Sequence, residues 1–164
     1  MDQPVDIVEA AAVADVAAVR ELWSEYWQSM GLPLDFQGFA DELRGLPGKY
    51  APPEGCLLLT RIDGQPAATA AFRPLRRDAC EAKRLYVRPV FRRRGLAVSL
   101  LARLAEEARR AGYRDLYGDT LVTMASALDL YRRLGFQEIG PYSDHPTPGA
   151  VYLHLSLQAA APPP

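Results

Sequence analysis

Hydrophobic positions recur along the chain with two periods, and the alternation between them predicts the order of the elements. "VDIVEA" alternates as a short first strand does. Asp15 then caps a helix whose apolar positions Val16, Val19, Trp23, Trp27 and Met30 follow helical spacing until Gly31 ends it. A weaker helical pattern covers Phe36 to Leu43, and "GLPGKYAPPEG" reads as a loop from its prolines and glycines. "CLLLTRID" and "QPAATAAFRPL" flank a turn at Asp63-Gly64 and predict an antiparallel hairpin, with "CEAKRLYV" as the next strand.

After Val87 the period changes from two to about 3.6. Leu96, Leu100, Leu101, Leu104, Ala108 and Ala111 share one helical face, and Gly112 stops that helix. "YRDLYGDTL" predicts a strand, Met124 to Leu134 a helix closed by Gly135, and "FQEIG" and "AVYLHLSL" two late strands. The order βααβββαβαββ is that of a mixed α/β fold. A chain of 164 residues is long enough for one such domain and short for two. Residues 1–158 are read as that domain and residues 159–164, the Ala/Pro end of "QAAAPPP", as a disordered tail.

Charge narrows the partners. The formal net charge is −1, which gives the surface as a whole no reason to bind nucleic acid or an anionic membrane. Nine of the 19 Lys and Arg residues nevertheless fall between Arg73 and Arg94, a local concentration suited to a small polyanion. Cys56 and Cys80 lie in apolar strand-like segments without a Cys/His cluster, so neither a disulfide framework nor a metal site is expected. The N-terminus lacks a secretory pattern and no run is long enough to span a membrane, and a cytoplasmic protein with reduced thiols is expected.

The concentrated charge sits at a strand-to-helix junction, "LYVRPVFRRRGLAVSLL". The start of a helix exposes unpaired N–H groups and the positive end of the helix dipole. Gly95 lets a phosphate approach the backbone, Ala97 keeps the first turn small, and Arg92, Arg93 and Arg94 repel one another unless an anion lies between them. A solvated basic turn is the plainer alternative.

Arg92-x-x-Gly95-x-Ala97 resembles the acyl-CoA-binding signature of the GNAT superfamily of N-acetyltransferases, and "ALDLYRRLGF", residues 127–136, resembles its second signature. The similarity covers Gly55 to Leu157, while the first fifty residues match only as a variable helical pair. It implies a mainly antiparallel central sheet flanked by helices, with a splayed strand pair forming a CoA cleft, and acetyl-CoA as co-substrate without a metal. The cofactor-binding residues it implies are Leu85, Tyr86, Val87, Arg92, Arg93, Arg94, Gly95, Leu96, Ala97, Val98 and Ser126. Within that set the Leu85 N–H points at the thioester oxygen, the Val87 backbone pairs with pantetheine, and the arginine loop cradles the pyrophosphate.

Two catalytic residues follow from the same resemblance. Glu81 has the spacing of the general base of some GNAT enzymes, and strand alternation places its side chain on the face of Leu85, four residues on. A strand carboxylate paired with a neighbouring Arg or Lys is the alternative. Tyr131 matches the tyrosine that protonates the departing thiolate, with packing on Phe136 as the alternative. One position departs from the family: where many members have a pantetheine-binding Asn, this chain has Met124, which cannot donate a hydrogen bond, so that either Ser126 partly substitutes or the contact is absent.

For the acceptor, Trp23, Tyr26 and above all Trp27 are candidate pocket residues, with core packing as the alternative. The loop "GPYSDHPTPGA" offers Tyr142, Asp144 and His145, the last equally readable as an exposed loop histidine. The resemblance therefore implies transfer of an acetyl group to a primary amine of a small molecule or a protein, by direct attack in a ternary complex. No cysteine sits in a motif for a covalent relay, and alternation turns Cys80 to the opposite face from Glu81. The rivals are a silent acyl-CoA sensor and a transferase with another acyl donor or a hydroxyl acceptor; a homodimer is left open.

Overall fold

The computed structural model describes residues 4–121 and 124–158, apart from the side chain of Gln37. Seven strands form one sheet: β1 (Val5–Glu9), β2 (Cys56–Ile62), β3 (Gln65–Arg76), β4 (Ala79–Val87), β5 (Asp115–Leu121), β6 (Gln137–Ile139) and β7 (Ala150–Ser156). Their spatial order is β1-β2-β3-β4-β5-β7-β6, antiparallel throughout except where β4 meets β5. The helices are α1 (Val13–Ser29), α2 (Phe39–Arg44), α3 (Leu96–Arg110) and α4 (Ala125–Arg133). The element order is the one the two periods predict. The tail read at 159–164 lies outside the described residues.

Helices cover both faces of the sheet, which is why "CLLL" is a continuous apolar run and not an alternating one. Leu57 and Leu59 face α1 and α2, packing with Val19, Leu22, Trp23, Trp27 and Phe39. Leu58 faces α3, whose Leu100, Leu101, Leu104 and Ala108 meet Ala70, Phe72, Cys80 and Leu116. Each large side chain so buried contributes about 1.5–3 kcal/mol by removal from water.

Three local expectations are corrected. Asp15 is not the helix cap: α1 begins at Val13 after Ala12, and Asp15 stands in its first turn, where the helix dipole favours a carboxylate. Arg61 of β2 pairs with it at 2.7 Å, drawing the carboxylate to the sheet and away from the helix end. The segment Phe36 to Leu43 is not one helix, because Gly38 adopts φ +72° and separates a 3-10 turn, Phe36–Gly38, from α2. The Pro/Gly loop also contains a 3-10 turn, Gly48–Tyr50, which buries Tyr50 against the core.

Two irregularities shape the middle of the sheet. β4 and β5 pair only at Ala79↔Asp115, Cys80↔Leu116 and Glu81↔Tyr117, after which they diverge. Opposite β3, Lys83 pairs with Ala71 but Tyr86 pairs with Thr69, so β4 carries one extra residue. Arg84 lies in that bulge at φ +60°, with its guanidinium 4.9 Å from the Trp27 ring centroid and 2.8 Å from Glu42.

Candidate active site

The divergence of β4 from β5 opens a cleft of about 1000 Å3. Leu85, Tyr86 and Val87 form one wall, Arg92, Arg93, Gly95, Leu96, Ala97 and Val98 one end, and Ser126 with Met124 the opposite wall. Ten of the eleven cofactor-binding residues expected from sequence thus meet in one place. The exception is Arg94, whose guanidinium stacks over Phe91 at 5.5 Å. Arg92 is held by a hydrogen bond from its Nε to the Val87 carbonyl, 3.1 Å.

Local conformation explains why this end of the cleft suits an anion. Gly95 is the N-cap of α3 at φ +75°, and Arg93 turns the preceding loop at φ +65°. The Ser99 N–H is bonded back to the Gly95 carbonyl at 3.1 Å, so the N–H groups of Leu96, Ala97 and Val98 project from the helix start. A Cβ at Gly95 would meet no protein atom within 4 Å, which leaves open space where a phosphate would approach. The donor set fits a pyrophosphate: helix-end N–H groups and two exposed guanidiniums around an open concavity.

At the last paired position before the splay, and outside the cleft lining, Glu81 is 6% exposed. Arg73, its cross-strand partner, donates from Nε to Glu81 Oε1 at 3.3 Å, and Tyr142 donates to Oε2 at 2.6 Å. Lys83 stands 3.7 Å from Glu81 and 3.3 Å from Asp119. The Tyr142 ring packs on Tyr117 and Tyr152, with centroids 5.2 and 5.1 Å apart, and this holds the β6–β7 loop over the carboxylate. Glu81 is therefore both buried and paired.

The sequence model of the acetyltransferase (GNAT) family matches residues 16–136. The chain belongs to the GNAT family. An uncharacterized N-acetyltransferase of Schizosaccharomyces pombe is 37% identical over 87% of this chain and 89% of its own. An acetyltransferase of the GNAT family from Staphylococcus aureus shares the fold, with a TM-score of 0.79 at 17% identity over 94% of this chain and 100% of that one. The structure of yncA from Salmonella typhimurium with its cofactor acetyl-CoA aligns at a TM-score of 0.69 and 25% identity, covering 98% of both chains. The mixed sheet with its flanking helices is the GNAT fold, and the chain is a GNAT-type acyltransferase.

One expectation drawn from strand alternation fails. Glu81 and Leu85 do not share a face: Cys80, Ala82, Leu85 and Val87 pack toward α3, whereas Tyr86 packs toward α1 and Glu81 bonds Arg73 and Tyr142. The extra residue at Arg84 shifts the alternation by one, inverting every side chain after it. Cys80 does face away from Glu81, as expected. Burial pushes both cysteine thiols up to about 12, which disfavours the reactive thiolate form at neutral pH.

Tyr131 is 6% exposed, with its ring edge-on to Phe136 at 5.0 Å. Burial pushes its phenol well above the usual range, and the nearby Tyr26 and Asp119 add to the shift. Tyr26 lines the cleft, which puts the Tyr131 hydroxyl within electrostatic reach of it while the ring packs in the core. Met124 accepts a weak contact from the Thr120 hydroxyl at 3.6 Å.

The acceptor candidates divide. Tyr142 joins Glu81, and Tyr26 lines the cleft. Trp27 is corrected to a core residue: it is 2% exposed, stacked on Phe39 at 4.1 Å, with its indole N–H donating to Pro33 at 2.8 Å. Trp23 is equally buried, because the apolar face of α1 lies flat on the sheet. His145 is exposed, and its backbone N–H bonds the Ser143 hydroxyl. Sequence reasoning missed Arg73, Lys83, Asp119 and Tyr117; only the strand register could have found Arg73 and Tyr117, which sit opposite Glu81 on its two neighbours.

Proposed function

We propose that this chain transfers an acetyl group from acetyl-CoA to a primary amine by direct attack in a ternary complex. The observation that carries the reading is the coincidence, in one cleft, of the β4–β5 splay and the N-terminus of α3. The splay leaves the backbone of Leu85 and Val87 without a β5 partner, ready to bond an extended pantetheine arm as an added strand would. The α3 end with Arg92 and Arg93 takes the pyrophosphate. Acetyl-CoA supplies an activated thioester carbonyl.

The chain's own groups then move protons. The acceptor nitrogen enters from the Tyr142 side and forms a C–N bond to the thioester carbon, with its excess proton passing to Glu81 through a water. The Leu85 N–H faces the carbonyl oxygen as negative charge develops there. As the C–S bond breaks, Tyr131 gives its proton to the sulfur, so free CoA thiol leaves. Burial keeps that phenol protonated until the thiolate forms. Both thiols being protonated supports attack without a covalent relay.

Thiol release from acetyl-CoA, measured with a panel of primary amines and with acetylated product identified by mass, tests the reading. Amine-dependent release of one thiol per acetylated amine is expected. Tight acetyl-CoA binding with no release for any amine would instead favour the sensor.

A further inference from the structure

Arg73, the partner of Glu81, also lines a second cavity of about 310 Å3 against α2, together with Glu42, Lys49 and Tyr50 among others. The carboxylates of that cavity are already satisfied. Asp41 pairs with Arg44, and Glu42 pairs with Arg84 at 2.8 Å while accepting the Tyr50 hydroxyl. Its cations are held less closely. Lys49 makes no ion pair among the described residues, and Arg73 directs Nε and one terminal nitrogen at a single oxygen, Glu81 Oε1, both at 3.3 Å. The surplus is positive, beside a carboxylate positioned for an amine.

We propose that the acceptor is an amino acid, its free carboxylate held by Arg73 with Lys49 at the rim, and its amino group on Glu81. This rests on the placement of the acceptor amine at Glu81 in the function proposed above. An amino acid offers each member of the Arg73–Glu81 pair the charge it already faces: an ammonium for the carboxylate and a carboxylate for the guanidinium. The planar guanidinium gains a two-oxygen partner in place of a 3.3 Å contact to one oxygen. Glu81 is released from Arg73 to take the amine proton. Because the two protein charges are in direct contact, the amino and carboxylate groups of the acceptor must be separated by only a few bonds. A simple amine, or an amino acid in amide linkage at a protein N-terminus, would leave Arg73 without that partner.

The test compares the common α-amino acids with their decarboxylated amines and their amides, such as L-phenylalanine, 2-phenylethylamine and L-phenylalaninamide, by thiol release from acetyl-CoA. For the accepted side chain, kcat/KM should favour the free acid by about tenfold or more, the scale of a charge-assisted contact. In Arg73→Gln the preference should fall toward unity, mainly through KM. Amines or amides used as well as the acid, or a preference that survives Arg73→Gln, would overturn the proposal. A second measurement needs neither turnover nor a variant: calorimetry of the CoA-saturated protein with N-acetyl amino acids and their amides. Binding of the acids alone supports the carboxylate site even if no amine is acetylated, which would sink only the catalytic reading. Equal binding of acids and amides, or none of either, overturns the site itself.

Discussion

The Tyr142 hydroxyl donates to Glu81 Oε2 at 2.6 Å, joining residues 61 apart in sequence. It ties the loop between β6 and β7 to the middle of β4, and fixes a carboxylate that Arg73 and Lys83 approach from the other side. A buried carboxylate that loses one of its donors leaves that lone pair without a partner.

Tyr142→Phe keeps the ring packed on Tyr117 and Tyr152 but removes this donor. We expect a stability loss of about 1.5 kcal/mol or more, since the bond is to a charged group, and a fall in Tm of about 3–6 °C for a chain of this size. Turnover should fall while acetyl-CoA affinity holds. Thermal unfolding and calorimetry check both, and an unchanged Tm would mean that the bond contributes nothing.

Tyr131→Phe removes the phenolic proton and keeps the contact with Phe136. If the phenol is the acid, kcat should fall at least about tenfold, within the range of about 10²- to 10⁴-fold typical of general acid catalysis less any rescue by water. The shifted phenol stays protonated at alkaline pH, so the loss of kcat in the variant should be about the same across that range and the high-pH limb should keep its position. Wild-type turnover in Tyr131→Phe would make this residue a packing element only.

Gly95→Val forces a β-branched residue to φ +75° at the start of α3, and fills the open space above the helix end. CoA affinity should drop while the fold persists. Arg92→Ala with Arg93→Ala should also weaken CoA and flatten the salt dependence of binding, because both guanidiniums line the cleft. Calorimetry at two ionic strengths reads both, and a double variant that binds normally removes the phosphate role.

Glu42 links α2 to the bulge through Arg84 and to the adjoining 3-10 turn through Tyr50. Burial by itself would raise its carboxyl, but Arg84 and the Tyr50 hydroxyl outweigh it and hold the group below the usual glutamate range. With the folded value lowered, this stabilisation is present above pH about 4.5 and is lost as pH falls through the folded value. Urea unfolding should show wild-type stability declining through that acid window, and Glu42→Gln should show a shallower decline. Parallel curves would remove Glu42 as a contributor.

The sequence by itself determined the elements and the arginine-rich end of the cleft. Strand and helix periods follow from backbone geometry over a few residues, and the residues of the Arg92 to Val98 turn are contiguous, so both are written locally. Only the tertiary structure decided the surroundings of Glu81. Whether Trp27 lines a pocket depends on how α1 lies on the sheet, and neither the bulge at Arg84 nor its reversal of Leu85 relative to Glu81 has a Gly or Pro to announce it. Glu81 receives Arg73 from β3, faces Tyr117 of β5 and takes Tyr142 from a distant loop, partners that strand pairing brings together without any fixed spacing along the chain. Long-range register, set by the packing of both faces at once, is the physical reason: one added residue turns a side chain from one side of the sheet to the other.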